Sequence, residues 1–368
     1  MSTSAPLVSV VMPVYNCEQY VQRSVSAVLN QRFRDFEFII INDGSTDRTK
    51  ELLQAFTDQR IRYFENDENY GVVRTLNRGI DLARGKYIMR TDADDVSYLD
   101  MIGSLVDYME CDPECILCGS YVRILGTKKI VPKPSIDAKV KIYTLLSCPF
   151  PHTCIMIRKQ VLFDRNLRYD LQYLDGEDHG LWSELLPYGK FHNLKKVLID
   201  YNKSNPDQVT ARPVHKENYF RFRRRMHLFH GKRYFNLSHA EAEIYWRLIR
   251  SEKAGSIDAL DETRRLLAKI MMENLKNGFF HQGLLKKFLL FRWYYVCLNS
   301  YELGARTFFS YVKGIKTTQQ YFNILAILSL LAQGRKLIGL FGPDAFYRAC
   351  RRHLQTLKGN KQECRYKR

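Results

Sequence analysis

The chain has 368 residues, of which 45% are hydrophobic and 26% charged, a composition typical of folded globular proteins rather than disordered or fibrous ones. At about 100–200 residues per domain, this length favours two domains. The apolar run at residues 321–331 is shorter than the roughly 20 residues that a membrane-spanning helix needs. The first residues lack the pattern of a secretory signal peptide, so we expect neither a transmembrane nor a secreted protein.

Charge is distributed unevenly along the chain. Residues 1–211 hold 26 Lys/Arg and 28 Asp/Glu, a net charge of −2, whereas residues 212–368 hold 31 Lys/Arg and 11 Asp/Glu, a net charge of +20. We therefore predict two domains with their boundary at this shift. The basic part is rich in aromatic residues, as at 221–225 and 284–295. Three interpretations remain open: an anionic membrane partner, a nucleic-acid partner, or a helical domain with a solvated basic face.

Nine cysteines and the absence of a signal peptide favour reduced thiols. Cys111, Cys115 and Cys118 have a spacing that resembles part of a zinc site. A structural zinc site needs four ligands, and no fourth Cys or His lies nearby in the sequence. We predict buried free cysteines here.

Strand and helix patterns alternate through the first 125 residues. Short apolar runs predict strands, and apolar residues at helical spacing predict the helices between them. The predicted strands are 8–12, 36–41, 60–65, 86–90 and 115–125, and the helices are 18–31, 49–56, 72–83 and 98–109. A strand at 152–158, a helix at 178–186 and a strand at 191–201 follow a weakly patterned stretch. This alternation predicts an α/β fold with a doubly wound, mostly parallel sheet and flanking helices, followed by a basic helical region.

Acidic clusters follow two of these strands. Residues 42–47 (NDGSTD) come after the second strand and residues 91–95 (TDADD) after the fourth, at the edge where parallel sheets bind ligands. The first cluster is also compatible with a plain turn and helix cap. In the second, Asp92, Asp94 and Asp95 crowd three charges together, which favours a neutralising cation such as Mg²⁺ or Mn²⁺ bound with substrate phosphates. Because the chain has no glycine-rich phosphate loop, carboxylates and a metal would have to hold a nucleotide.

These segments resemble, in order and spacing, the motif series of family 2 glycosyltransferases. The matching segments are 10–16 (VVMPVYN), 41–47 (INDGSTD), 69–71 (NYG) with 76–79 (LNRG), 91–95 (TDADD) and 176–182 (GEDHGLW). The resemblance covers residues 7 to about 210. More loosely, residues 90–95, 167–170 and 319–322 resemble bacterial lipooligosaccharide enzymes that add galactose or N-acetylgalactosamine.

The resemblance implies a GT-A fold and an inverting transfer. The reaction would move a hexose or N-acetylhexosamine from a UDP-sugar to a hydroxyl of a lipooligosaccharide, capsule or O-antigen type glycan. The donor residues carried over are Pro13, Tyr15 and Asn16 in the nucleotide pocket, Asp43 at the uracil, Asp92 at the ribose or sugar, and Asp94 at a Mn²⁺ or Mg²⁺ bridging the diphosphate. Asp178 would be the general base, with Glu177 beside it on the acceptor side. These two carboxylates are also compatible with a role limited to the helix dipole.

The sequence departs from the family pattern after the last predicted core strand. Many members have a His there that helps to hold metal or diphosphate, whereas this chain has Ser204 near that position, and Lys203 is an alternative source of positive charge. Gln208 and Thr210 fit the pattern. Lone histidines such as His152 and His179 are more typical of hydrogen-bonded structural residues.

We expect residues 1–211 to form the catalytic domain and residues 212–368 a basic, aromatic-rich helical domain for membrane-surface or acceptor association. The expected partners are a nucleotide-sugar, a glycan or lipid-linked glycan acceptor and the anionic inner membrane, with no nucleic acid. The protein would then be cytoplasmic and peripheral on the inner face of the bacterial cytoplasmic membrane. An alternative is a non-catalytic GT-A-like protein that binds an anionic membrane or RNA, but the intact acidic motifs favour the enzyme.

Overall fold

The computed structural model describes residues 5–205, 215–303, 306, 307 and 309–311. The chain separates into two compact units, one formed by residues up to His230 with Phe279–Leu284, and the other by Gly231–Gly278 with the residues from Leu285 onward. The domain boundary predicted at residue 211 stays a prediction, because it lies outside the described residues. Residues 208, 210, 319–322, 321–331 and the basic C-terminal end also lie outside them.

Within the described residues, the first unit contains a single nine-stranded sheet. The strands are β1 Val8–Val14, β2 Phe36–Asn42, β3 Ile61–Glu65, β4 Tyr87–Arg90, β5 Val96–Ser97, β6 Cys115–Ile124, β7 Ile130–Val131, β8 Ile155–Arg158 and β9 Lys190–Tyr201. Their order in the sheet is β3-β2-β1-β4-β8-β6-β9-β5, and β7 pairs with β6. Strands β3, β2, β1 and β4 are mutually parallel, as are β6 and β9. Strand β8 runs antiparallel between β4 and β6. The predicted α/β class and mostly parallel sheet are confirmed.

Helices flank this sheet and continue into the second unit. They are α1 Val21–Leu29, α2 Thr49–Gln54, α3 Val72–Leu82, α4 Met101–Cys111, α5 Asp137–Thr144, α6 Lys159–Asp164, α7 Glu177–Leu185, α8 His215–Phe235, α9 His239–Arg250, α10 Ile257–Asn277 and α11 Gln282–Asn299. Single 3₁₀ turns lie at His152–Cys154, Leu171–Tyr173, Leu186–Tyr188 and Tyr301–Leu303. The predicted helical character of the basic region is confirmed as far as the structure describes it.

Strand β2 is part of the buried core. All seven of its side chains are buried, as its continuous apolar run predicts for a strand covered on both faces. Its one carboxylate, Glu37, accepts hydrogen bonds from Ser9 Oγ at 2.6 Å and Arg62 Nη1 at 2.7 Å. Burial raises the pKa of Glu37, but these bonds and those from Arg84 outweigh it and lower the pKa below its ordinary value.

The predicted strand at 152–158 begins later than expected, because residues 152–154 form a 3₁₀ turn before β8. Of the three clustered cysteines, Cys115 and Cys118 are buried as predicted, whereas Cys111 at the end of α4 is exposed. Among the described residues, no group of three His, Cys, Asp or Glu side chains is arranged to hold a metal ion by itself.

Some basic residues of α8 bind backbone carbonyls within the first unit. Arg223 Nη2 donates to the Leu146 carbonyl at 2.6 Å, and Arg225 donates to the Gln172 carbonyl. Phe222 packs edge-to-face against Tyr173, with ring centroids 6.2 Å apart. Over the part of the chain that the structure covers, every helix is too short or too polar to cross a bilayer.

Candidate active site

Two loops at the carboxyl end of the sheet are tied to each other. Asn16, directly after β1, has a positive φ of 46°, and its backbone N–H donates to Ser45 Oγ at 3.0 Å. Its side-chain oxygen accepts from the Thr46 N–H at 2.8 Å. Pro13 is half-buried in β1 opposite Ile41, and the ring of Tyr15 is 39% exposed. The loop after β1 and the motif at residues 42–47 after β2 therefore lie against each other.

Asp43 lies at the end of β2 and is buried. Its Oδ1 accepts from Asn66 Nδ2 at 2.5 Å and the Tyr70 N–H at 3.1 Å, and its Oδ2 accepts from the Gly71 N–H at 3.0 Å. A Cβ on the neighbouring Gly44, which has a φ of +67°, would lie 2.5 Å from the backbone of Glu68. Glycine is needed in this turn because its φ is positive. A side chain would also collide with the segment 66–71, which the hydrogen bonds of Asp43 hold close by.

The motif at residues 76–79 lies on α3, and its polar side chains bind two neighbouring segments. Asn77 binds both backbone groups of Tyr169, with Nδ2 donating to the carbonyl at 2.8 Å and Oδ1 accepting from the N–H at 2.9 Å. Arg78 donates to Asn66 Oδ1 and to the Glu65 carbonyl. Gly79 lets α3 approach β1, because a Cβ there would collide with Val11. The motif thus positions the Asp43 loop and the Tyr169 segment.

The acidic loop after β4 has a fixed partner for each carboxylate. Arg90, the last residue of β4, is ion-paired with Asp92. Asp94 Oδ2 accepts from Asn205 Nδ2 at 2.8 Å, and Asp95 Oδ1 accepts from the Asn202 N–H at 2.7 Å. The chain that follows β9 therefore returns to this loop.

Burial and mutual repulsion dominate the electrostatics of the acidic loop. Burial and the charges of Asp92 and Asp94 raise the pKa of Asp95 well above its ordinary value. Burial also raises the pKa of Asp92, although the Arg90 charge opposes this effect. The predicted crowding of three carboxylates is confirmed, and Arg90 supplies a resident cation that neutralises part of it.

The donor set of this loop fits a hard divalent cation in part. Asp94 supplies a carboxylate, and Asp95 Oδ2 is a buried oxygen without a hydrogen-bond partner among the described residues. Carboxylate oxygens are the ligands that Mg²⁺ and Mn²⁺ prefer. Because no complete protein cluster exists in the described chain, the oxygens of a bound diphosphate would have to complete the coordination shell.

Glu177 and Asp178 are the first two residues of α7. Gly176 precedes them and allows α8 to pack closely, since a Cβ there would collide with the ring of Phe222. His152 Nδ1 lies 3.9 Å from Glu177 Oε1, and His152 Nε2 shares a hydrogen bond of 2.9 Å with the hydroxyl of Tyr169. Burial and the adjacent Asp178 charge raise the pKa of Glu177 to about 7. Burial lowers the pKa of His152 well below its ordinary value, so the ring is neutral.

Asp178 has a more polar environment than its neighbour. Its Oδ1 accepts from the His179 N–H at 2.6 Å, and its Oδ2 accepts from the Cys148 thiol at 3.1 Å. His179 Nε2 is bonded to the Thr144 carbonyl at 2.8 Å, and burial lowers the pKa of His179 to about 4. His152 and His179 are therefore hydrogen-bonded structural residues, as predicted.

A short path of contacts joins the acidic loop to α7. The Asp92 N–H donates to Thr153 Oγ1 at 3.2 Å, and the neighbouring His152 contacts Glu177. The charge of Arg90 also acts on Glu177, where it opposes the increase in pKa that burial and Asp178 cause. The acidic loop and the start of α7, which carry the predicted site residues Asp92 and Glu177, are thus linked through residues 152 and 153.

Several residues of this site escaped the sequence analysis. Asn205 lies one position beyond Ser204, which is exposed, and reaches Asp94. Its position after the last core strand was a usable signal. Cys148 had none, because it reaches the site only through a tertiary contact, whereas Tyr169 lies in the segment 167–170 of the looser resemblance, which assigned it no role.

Comparisons with known proteins relate this chain to glycosyltransferases. The sequence model described as Glycosyl transferase family 2 matches residues 9–171. A Haemophilus influenzae protein named as an uncharacterized glycosyltransferase is 31% identical over 229 residues, which cover 58% of this chain and 71% of the relative. The Escherichia coli protein WfaP, named as a UDP-Glc:alpha-D-GlcNAc-diphosphoundecaprenol beta-1,3-glucosyltransferase, is 29% identical over 210 residues, covering 56% of this chain and 80% of WfaP.

Solved structures show the same fold. The Staphylococcus aureus TarS 1–349 structure, a complex with UDP-GlcNAc, aligns with a TM-score of 0.55 and 15% identity, over 86% of this chain and 93% of the TarS 1–349 chain. This likeness identifies the fold, and the closer sequence relatives identify the family. The ordered motifs, the sheet that carries them and these relatives lead to one conclusion: the chain belongs to family 2 of the glycosyltransferases.

Proposed function

We propose that this glycosyltransferase is a metal-dependent, inverting hexosyltransferase. It moves a hexose or N-acetylhexosamine from a UDP-sugar to a hydroxyl of a bacterial surface glycan. One observation chiefly supports this: the acidic loop after β4 and the carboxylate pair of α7 are linked through Thr153 and His152. A donor diphosphate and an acceptor hydroxyl can then be served in one site.

The donor would lie against the wall formed by the loops after β1 and β2. The half-exposed Tyr15 ring offers a stacking surface beside Pro13 and Asn16. Asp43 Oδ1 already accepts two hydrogen bonds, whereas Oδ2 accepts one and retains a lone pair. The N3–H of uracil is a donor of the right kind for that lone pair, which supports a UDP-sugar. Asp92 would contact the ribose or sugar.

Asp94 would hold the Mn²⁺ or Mg²⁺ together with the diphosphate, with Asn205 fixing its carboxylate. The ion supplies Lewis-acid stabilisation of the departing diphosphate. Lys203 is exposed in the segment that returns to the acidic loop, and its ammonium group is available to the same phosphates.

Asp178 is the better general base of the two α7 carboxylates. The His179 N–H and the Cys148 thiol both donate to it and hold its carboxylate in place, whereas the pKa of Glu177 is raised to about 7 and its carboxyl is protonated over part of the neutral range. As the acceptor oxygen bonds to the sugar carbon, the bond from that carbon to the diphosphate breaks and the acceptor proton passes to Asp178. Glu177, protonated over part of the neutral range, can donate a hydrogen bond to the acceptor.

The acceptor and the basic region are linked in this proposal. WfaP acts, by its name, on a lipid-linked sugar, and it supports an acceptor of the same class here. In the second unit, Met272 and Leu275 on α10 and Phe291 on α11 are more than half exposed. Helix α11 has three Lys/Arg and no acidic residue, and an exposed apolar side chain on such a helix is typical of proteins that lie on anionic membranes, whereas α10 has equal numbers of acidic and basic residues. Residues 212–368 would thus bring the catalytic domain, residues 1–211, to the inner membrane face.

The test is a screen of UDP-, GDP- and CMP-sugars for metal-dependent donor hydrolysis and transfer. With the donor found, Asp178→Asn keeps the side-chain shape but removes the base, so kcat falls roughly 10²–10⁴-fold while donor binding persists. Asp107→Asn on the exposed side of α4 is the matched control and leaves kcat unchanged. A loss of less than about tenfold at Asp178 would assign the base to another residue. Donor binding without any turnover would instead favour the binding-protein alternative.

A further inference from the structure

The thiol of Cys148 contacts the carboxylate that we propose as the general base. Cys148 Sγ lies 3.1 Å from Asp178 Oδ2, within hydrogen-bond distance for sulfur. The two residues are thirty positions apart and come from different elements, the segment after α5 and the start of α7. The contact therefore depends on the tertiary fold, and no pattern in the family motifs accounts for it.

The segment that carries Cys148 is held firmly. Lys133 Nζ donates to the Cys148 carbonyl at 2.9 Å, and Asn193 Nδ2 donates to the carbonyl of the next residue, Pro149, at 3.1 Å. Arg223 Nη2 binds the Leu146 carbonyl two residues earlier. With its backbone bonded at these points, the segment presents the thiol in a fixed place.

The thiol has one proton and two acceptors within reach. Besides Asp178, the Phe150 carbonyl lies 3.3 Å from Sγ. The carboxylate is nearer and charged, and charge-assisted hydrogen bonds are the stronger ones. Burial and the Asp178 charge raise the pKa of Cys148 well above its ordinary value, so the thiol keeps the proton that it donates.

We propose that Cys148 is a positioning residue, whose thiol holds the carboxylate of Asp178 in the orientation that proton transfer needs. The inference rests on the proposed role of Asp178 as the base. The charged or titratable side chains that act on this region include Glu177, His179, Asp175, Lys133, Tyr169, Arg90 and Arg223. Among the described residues, the hydrogen bond to Asp178 Oδ2 comes from the Cys148 thiol.

The experiment compares Cys148→Ala and Cys148→Ser in the full chain, with the donor found by the screen. Cys148→Ala removes the hydrogen-bond donor to Asp178 and should lower kcat roughly threefold to tenfold, with the KM for the nucleotide-sugar unchanged. Cys148→Ser keeps a hydrogen-bond donor at this place and should restore most of kcat.

A double-mutant cycle separates this inference from the proposed function. If Cys148 acts through Asp178, Cys148→Ala should cost nothing further in an Asp178→Asn background. Cys111→Ala, which removes an exposed thiol, is the control and should match the wild type. A Ser variant as slow as the Ala variant, or full additivity in the cycle, would each overturn the inference. If Asp178→Asn itself retains kcat, the proposed base is wrong and the inference falls with it.

Discussion

Glu177 gives a quantitative prediction, because its carboxylate is buried beside a second one. Its side chain is 14% exposed, and burial and the Asp178 charge raise its pKa from 4.5 to about 7. Between these two values the native protein binds a proton that the unfolded chain has released. Stability contributed by Glu177 therefore increases as the pH falls from about 7 to about 4.5.

The perturbation is Glu177→Gln, which mimics the protonated acid at every pH. The shift of the pKa corresponds to about 3 kcal/mol at about 1.4 kcal/mol per unit. The free energy of unfolding of the wild type minus that of the variant should therefore increase by about 3 kcal/mol on going from about pH 8 to about pH 4.5. The variant should be the more stable protein at the alkaline end.

Buried histidines titrate with the opposite sign, so the difference between the two proteins is the quantity to measure. The pKa of His179 is lowered to about 4, and its contribution to stability is lost as the pH falls below about 6.5. Both proteins contain this residue, and its effect cancels in the difference. The assay is urea unfolding followed by tryptophan fluorescence at several pH values, with the exposed Glu68→Gln as control. A difference that does not vary with pH would refute the reasoning.

Three further predictions concern the metal, the Tyr169 segment and the membrane. Asp94→Asn should abolish Mn²⁺-dependent UDP-sugar binding in calorimetry, and equal affinity with and without chelator would contradict this. Asn77→Ala leaves the Tyr169 N–H and carbonyl without their partner and should lower the free energy of unfolding by about 2–4 kcal/mol, measured by denaturation; a loss under about 1 kcal/mol would be too small. The protein should sediment with anionic vesicles at low salt, be released at high salt and ignore neutral vesicles. Deleting residues 351–368, which hold seven Lys/Arg, should weaken this binding. Protein that stays in the supernatant at low salt, or that prefers added RNA to vesicles, would contradict the membrane proposal.

The sequence predicts the parallel half of the sheet well for a physical reason. Strands buried on both faces, such as β2, read as continuous apolar runs, and the crossover helices between them have regular spacing. Strands β5 and β7 have two residues each, too few to show any period. Helix α5 lies in a stretch marked by Pro132, Pro134 and Pro149, whose breaker signals hide it.

The sequence predicts the carboxylates of the candidate site but not the groups that donate hydrogen bonds to them. The motifs give Asp43, Asp92 and Asp94 because each lies within four residues of the end of a strand, and a strand end is visible in the sequence. The group that donates to a carboxylate is set by tertiary packing, as with Asn205 at Asp94, 111 residues away. Arg90 is the exception, since it lies two residues from Asp92, and a charged residue that ends a buried strand is itself a signal.

The packing of α8 over Gly176 bears on how this chain can diversify. Residues 215–230 are basic like the C-terminal part, yet they belong to the compact unit that contains α7. Phe222 covers the turn that begins α7, and Arg223 and Arg225 are bonded to the carbonyls of Leu146 and Gln172. A recombination that exchanged C-terminal parts at the charge shift would strip this cover from Glu177 and Asp178. Acceptor choice and the start of the basic part should therefore be inherited as one piece, and functional exchanges between relatives should fall after His230.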